Sequence, residues 1–243
     1  MSVTLRALSA LLHYPDADLK AAIREIRSAI TAEQLLDARQ MARLEPLLFQ
    51  LAGGDLLSLQ EAYVELFDRG RVHSLHLFEH VHGESRDRGQ AMVELRDRYL
   101  DAGLGPASNE LPDYLPLFLE YCSILPLAEA REQLAEPGVI LAALADRLEA
   151  RGTPYAAVLA LLCEIAGIER TEETASIIAP PDDPDDLEKL DEVWEEETVT
   201  FGAMAPQAPG APCPQASAML NRMLEPQSPI STRAASAAPE RSH

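Results

Sequence analysis

Apolar residues recur at helical spacing through the first 170 residues. Leu5, Leu8 and Leu12 fall on one helical face, and Pro15 ends the helix they predict. Leu19, Ile23, Ile26 and Ile30 form a second stripe, with Asp16 or Asp18 placed to cap it. Met41, Leu44, Leu48 and Leu51 form a third, closed by Gly53 and Gly54, and Pro46 inside it predicts a kink or a split. Asp55 caps a fourth helix carrying Leu56, Leu59, Tyr63, Leu66 and Phe67, which Gly70 ends. A short helix is expected over about residues 74–82, stopped by Gly83, and Ser85 caps a longer one with Met92, Leu95 and Tyr99. Turn formers crowd residues 103–109. Pro112, Asp113 and Pro116 mark the next start, running on through Phe118, Tyr121 and Cys122. A helix from Pro126 breaks at Pro137-Gly138 and resumes with Leu141, Leu144 and Leu148. Thr153-Pro154 then opens the helix of Tyr155, Leu159, Leu162 and Ala166. No stretch alternates with period two. The expected fold is all-α, a single globular bundle of about eight to ten helices over residues 1–170.

Composition changes that picture past residue 170. Residues 171–243 hold 10 of the 18 prolines and a net charge of −10, as much as the 170 residues before them. Such a segment buries too little apolar surface to offset its ordering entropy, so an acidic, Pro-rich, largely disordered tail is expected. One stretch inside it differs. Leu187, Leu190 and Trp194 share a helical face within residues 185–198, and Trp194 is the chain's only tryptophan. That short helix either docks back on the domain, the preferred reading, or meets a partner.

Charge and cysteine usage narrow the function classes. A net charge of −20 argues against nucleic acid and against anionic lipid, and favours a basic partner. Cys122, Cys163 and Cys213 lie far apart without CxxC spacing, so no disulfide framework or cysteine metal site is expected, and the first two read as buried fillers. The amino terminus has no signal-peptide pattern, and the longest apolar run, residues 155–163, is too short to span a bilayer. The reading is a cytoplasmic protein without direct membrane insertion. No P-loop, GxGxxG, GxSxG or HExxH pattern occurs, so no enzyme and no bound cofactor is expected.

Residues 61–92 are the unusual part, with four of the six histidines and two of the five phenylalanines. His73, His76 and His80 would share one face of a continuous helix with Glu84 nearby, which suggests a histidine-ligated metal carrier or sensor that also uses His82. Against it, Arg69 and Arg71 precede the cluster closely, and His73 falls near the helix start. The blander reading has His80 and His82 hydrogen-bonded locally and His73 and His76 solvated. Arg69, Arg71, Arg86 and Arg88 face Asp68, Glu79, Glu84 and Asp87 either as a solvated surface or as a partly buried network joining the residue 68–71 turn to the next helix.

Three segments carry a resemblance. LFDRGR at 66–71, LFEHVHGESRDRGQAMV at 77–93 and LPDYLPLFLEY at 111–121 resemble the NarJ-type respiratory nitrate reductase delta subunit family, the nitrate reductase molybdenum cofactor assembly chaperones. HYPDADL near the amino terminus and LDEVWEEETVTF in the tail are similar to the same family. The resemblance implies an all-helical chaperone, not a catalyst. Its implied partners are the N-terminal peptide of the apo catalytic (alpha) subunit of respiratory nitrate reductase and the molybdenum cofactor insertion machinery. Binding would keep the apo-enzyme open for cofactor insertion and assembly before membrane attachment. The YxxLF element of the group is Tyr63, Leu66 and Phe67. Its PDH element stands here as Pro112, Asp113 and Tyr114, which leaves an aromatic contact rather than a proton or polar role at the third position.

An amphipathic cationic peptide would need an apolar groove with an acidic rim. The expected groove is lined by Tyr63, Leu66, Phe67, Phe78, Phe118 and Tyr121, although most of these aromatics fit a core equally well. Glu65, Glu79, Glu84, Asp113 and Glu120 are expected on its rim, with His80, His82 and Tyr114 beside it.

Overall fold

The computed structural model describes residues 1–81, 86–105 and 110–171. The expected tail, its 185–198 helix, His82 and Glu84 lie outside the described residues. Nine α-helices occur among the described residues, and no strand: α1 (Val3–Leu11), α2 (Ala17–Glu33), α3 (Ala38–Gly53), α4 (Leu56–Tyr63), α5 (Arg86–Asp101), α6 (Leu115–Ile124), α7 (Leu127–Ala135), α8 (Gly138–Ala150) and α9 (Ala156–Ala166). The all-α expectation holds.

Local chemistry starts most of these helices where the sequence places a short polar residue. The side chains of Ser2, Asp16, Asp37 and Asp55 accept backbone N–H groups at the starts of α1 to α4, satisfying donors that have no intrahelical partner. Asp37 and Gln40 cap each other's backbone reciprocally. Pro46 does not split α3, which runs unbroken from Ala38 to Gly53. Ala42 and Pro46 lie on the exposed face, where water can take the bond the proline removes, while Leu44, Leu47, Leu48 and Leu51 are held in the core.

The core centres on α9. Val158, Leu159, Leu161 and Leu162 are without solvent exposure, so most of the helix is covered, and its one charged residue, Glu164, is exposed. It packs against α8 and also meets α7 and α3. The apolar run of residues 155–163 is thus the central helix, and no described helix is long and apolar enough to cross a membrane. Cys122 and Cys163 are buried fillers there, with thiols pushed up by burial to about 12 and about 11.

α1 lies along α6, joined by Ser9 Oγ donating to the Pro116 carbonyl at 2.7 Å and by Ser2 N–H donating to the Ser123 carbonyl at 2.6 Å. Each fully buried leucine on this seam, such as Leu5, Leu8, Leu115 and Leu119, contributes about 1.5–3 kcal/mol. The seam fixes where the Asp113 segment enters α6.

Candidate functional site

The short helix expected over residues 74–82 does not form. Two 3₁₀ turns, Arg71–His73 and Leu77–His80, flank an extended stretch instead. The cause is competition for backbone groups. Leu77 N–H donates to the Asp113 carbonyl at 3.0 Å, and Leu115 N–H donates to the Leu75 carbonyl at 2.8 Å. Together they form an isolated antiparallel bridge between His76 and Tyr114. Ser74 Oγ, buried, accepts the His76 N–H at 3.2 Å and keeps that residue out of a helix. His73, His76 and His80 therefore do not align on one face. Among the described residues no group of three or more His, Cys, Asp or Glu side chains is arranged to hold a metal ion.

Asp113 sits at the centre of this clasp. Expected on a rim, its side chain has no solvent exposure. The PDY turn carries it inward beneath the 77–80 turn, where Phe78 N–H donates to Oδ2 at 3.1 Å and His76 Nδ1 faces Oδ1 at 3.2 Å. Arg88 of α5 comes within 3.8 Å of the same carboxylate and pairs with Glu79 at 3.4 Å. Part of the expected arginine–acid network thus exists, and it is half-buried. His76 is accordingly not solvated. The hydrogen bond to Asp113 raises its pKa most, against burial, which lowers it.

Tyr114 makes the aromatic contacts expected of it, with ring centroids 5.4 Å from His76 and 5.7 Å from His13. It also has a polar role. Its hydroxyl lies 3.1 Å from that of Tyr63, which donates to the Leu12 carbonyl at 2.8 Å. Tyr63 is the last residue of α4, and past it the helix widens into a π turn, Val64–Asp68. Such widened turns concentrate at functional sites. Tyr63 and Phe67 both lie in the core, where their rings meet at a tilt and each meets Tyr155 edge-on. Leu66 packs partly buried beside them, while Glu65 lines a separate shallow groove with Tyr14, Leu57 and Val64.

His80 fixes the other side of the clasp. Its Nε2–H donates to the Ser74 carbonyl at 2.8 Å, which leaves Nδ1 as the lone-pair nitrogen that Arg147 approaches at 3.5 Å. Burial first, and Arg147 after it, hold its pKa below the usual histidine value. Arg147 donates to the Val72 carbonyl at 3.2 Å as well. This residue was not among the expected ones, yet it is an arginine flanking the apolar stripe of Leu141, Leu144 and Leu148, a signal the sequence does carry.

Beside the clasp opens an apolar cavity of about 260 Å³. Phe78 and Leu77 of the 3₁₀ turn, Ala91 and Leu95 of α5, Phe118 of α6 and Ile140 of α8 line it. Glu94, Glu136 and Arg98 stand at its margin, with Arg98 paired to Glu136 at 2.8 Å. Of the expected groove, Phe78 and Phe118 meet here. Tyr63 and Phe67 belong to the core instead, and Tyr121 stacks on Tyr99 with centroids 5.0 Å apart. Glu79 pairs with Arg88 near the cavity, and Glu120 is half-buried on α6 with its carbonyl accepting Ser123 Oγ.

The fold and this site define a helical protein in which the 77–93 and 111–121 motifs close a clasp beside an open apolar cavity. The chain belongs to the nitrate reductase delta subunit family, whose model matches residues 13–161. It is 46% identical over 202 residues, 83% of this chain and 86% of the relative, to the nitrate reductase molybdenum cofactor assembly chaperone NarJ of Escherichia coli (strain K12). The probable nitrate reductase molybdenum cofactor assembly chaperone NarW of the same strain is 41% identical over 198 residues, 81% and 83% of the two chains. The probable chaperone NarJ of Bacillus subtilis (strain 168) is 33% identical over 183 residues, 71% and 95% of the two chains.

Proposed function

We propose that the chain is a non-catalytic assembly chaperone of respiratory nitrate reductase. It binds the N-terminal segment of the apo catalytic subunit in the cavity between Phe78 and Phe118. The segment is held there while the molybdenum cofactor is inserted, in the cytoplasm and before membrane attachment. The names its relatives carry support the assembly role, and the cavity supports the mode of binding.

The observation that carries the reading is the shape and charge of that cavity. At about 260 Å³ it falls just below the roughly 300 Å³ lower end of small-molecule pockets, so it suits one or two bulky side chains of a peptide. Its walls are apolar, and Glu94 and Glu136 stand at the margin of a chain with a net charge of −20. A helical peptide with an apolar face and flanking Lys or Arg meets both requirements.

Isothermal titration with the client N-terminal peptide tests it. Phe78→Ala removes an anchor and is expected to weaken binding about tenfold or more. Ala91→Trp fills the cavity and should abolish binding while the fold persists, because Ala91 is only half-buried. Glu94→Lys is expected to slow association and to lessen its sensitivity to salt. Binding that survives Ala91→Trp unchanged sinks this location.

A further inference from the structure

We propose that Arg98 holds, at the mouth of the cavity, the place of a client guanidinium, and that the client binds by displacing it from Glu136 and Gln133, a step that rests on the cavity being the client's site. Arg98 lines that cavity from α5 and reaches across to the end of α7. One nitrogen, Nη1, donates to Glu136 Oε2 at 2.8 Å and to Gln133 Oε1 at 3.3 Å.

Those two acceptors are oriented by bonds that do not involve Arg98. Gln133 Nε2 donates to Glu136 Oε1 at 3.0 Å, and the Tyr121 hydroxyl donates to Gln133 Oε1 at 3.4 Å. Both acceptors sit at the C-terminal end of α7, where the helix dipole is negative and a cation is favoured. The pair of oxygens suits any guanidinium, and Arg98 is the one that the chain supplies itself.

The balance of charge permits the exchange. The margin of the cavity carries two carboxylates, Glu94 and Glu136, against one guanidinium, Arg98. Arg88, another cation close to Phe78, is engaged by Glu79 and Asp113. The Arg98 side chain is 47% exposed and that of Glu136 52%, so neither is packed in place. Glu94 stands four residues before Arg98 on α5, the spacing at which opposite charges meet along a helix. A displaced Arg98 can therefore turn to Glu94 while the client's cation takes Glu136, and each carboxylate keeps one cation. Exchanging one cation for another adds little net affinity, so Arg98 limits how tightly a cationic client is held.

Isothermal titration of the full chain with the client N-terminal peptide, and with a copy whose Lys and Arg are replaced by Gln, tests this. Arg98 is exposed, so Arg98→Gln should keep the far-UV dichroism of the unmodified chain. It should tighten binding of the cationic peptide about fivefold at low salt, less at high salt, and leave that of the Gln copy, however weak, unchanged. Glu136→Gln should cost less than about twofold in the unmodified chain and about fivefold in the Arg98→Gln background. Equal affinity of the unmodified and Arg98→Gln chains for the cationic peptide overturns the proposal. So does equal tightening for the Gln copy, which would make Arg98 a plain obstruction, or weaker binding, which would make it a contact of the client. Ala91→Trp separates these results from a wrong location. Binding that Ala91→Trp leaves intact sinks the cavity and this proposal together. Binding that it abolishes, but that Arg98→Gln does not change, sinks this proposal alone.

Discussion

Asp113 and His76 form a pair in which the carboxylate has no solvent exposure and the imidazole is 28% exposed, with 3.2 Å between Oδ1 and Nδ1. The other carboxylate oxygen holds the Phe78 N–H. One side chain therefore fixes the 77–80 turn that presents Phe78 to the cavity. Asp113→Ala leaves a buried N–H and a histidine without their partner, and should lower the unfolding free energy by about 2–4 kcal/mol. Asp113→Asn keeps the shape and one acceptor, and should cost roughly half as much. Urea titrations with unchanged slopes would measure both. A cost below that of an ordinary surface change would show that the turn holds without Asp113.

His76 and His80, four residues apart, should respond to pH with opposite signs. Asp113 raises the His76 pKa above its unfolded value, so its contribution is complete below about pH 6.5 and fades as pH rises through the folded value. Burial lowers that of His80, which stays neutral while the unfolded chain takes up a proton, so stability is lost as pH falls below about 6.5. His13, lowered by burial, adds to that loss. Stability measured from pH 5 to 8 should then fall less steeply toward acid in His80→Gln, and more steeply in His76→Asn, than in the unmodified chain. Identical profiles for the two variants would contradict the assignment.

Much of the fold is legible in the sequence because apolar period and capping residues act locally. Asp16, Asp37 and Asp55 cap the helices they precede, and the stripes of Leu5, Leu8 and Leu12 or of Leu44, Leu48 and Leu51 are core. The 74–80 stretch was not legible, because the groups that divert it from helix are the backbone of Asp113 and Leu115, some 37 residues on. The site divides in the same way. Phe78 and Phe118 reach the cavity, but Tyr63 and Phe67 turn inward, since they continue the buried face that Leu59 begins on α4. Asp113 looked like a rim acid because nothing nearby in sequence announces its burial.

Tyr63→Phe isolates the hydroxyl that joins α4, the end of α1 and Tyr114. The ring and its contacts with Phe67 and Tyr155 stay, while the Leu12 carbonyl loses a donor at 2.8 Å and the Tyr114 hydroxyl loses its partner. Because the site is buried, the change should cost about 1–2 kcal/mol. The same loss is expected in Tyr63→Phe/Tyr114→Phe, not twice as much, because both substitutions break one network. Thermal unfolding of the single and double variants reads this coupling directly, and additive losses would show that the two hydroxyls act separately.

Glu33, at the end of α2, caps the start of another helix. Its carboxylate accepts the backbone N–H groups of Val3 and Thr4 and the hydroxyl of Ser2, placing negative charge at the positive end of α1. Burial alone would push its pKa up, but the bonds from Thr4, Ser2 and Val3 together outweigh that and hold it below the usual carboxylate value. The contribution is present above about pH 4.5 and lost as pH falls through the lower folded value. Glu33→Ala should therefore cost about 1 kcal/mol at neutral pH. Glu33→Gln, which keeps an acceptor and loses the charge, should cost less. At pH 3 the difference between Glu33→Gln and the unmodified chain should shrink toward zero, and a difference that persists there would mean that the charge is not what holds α1.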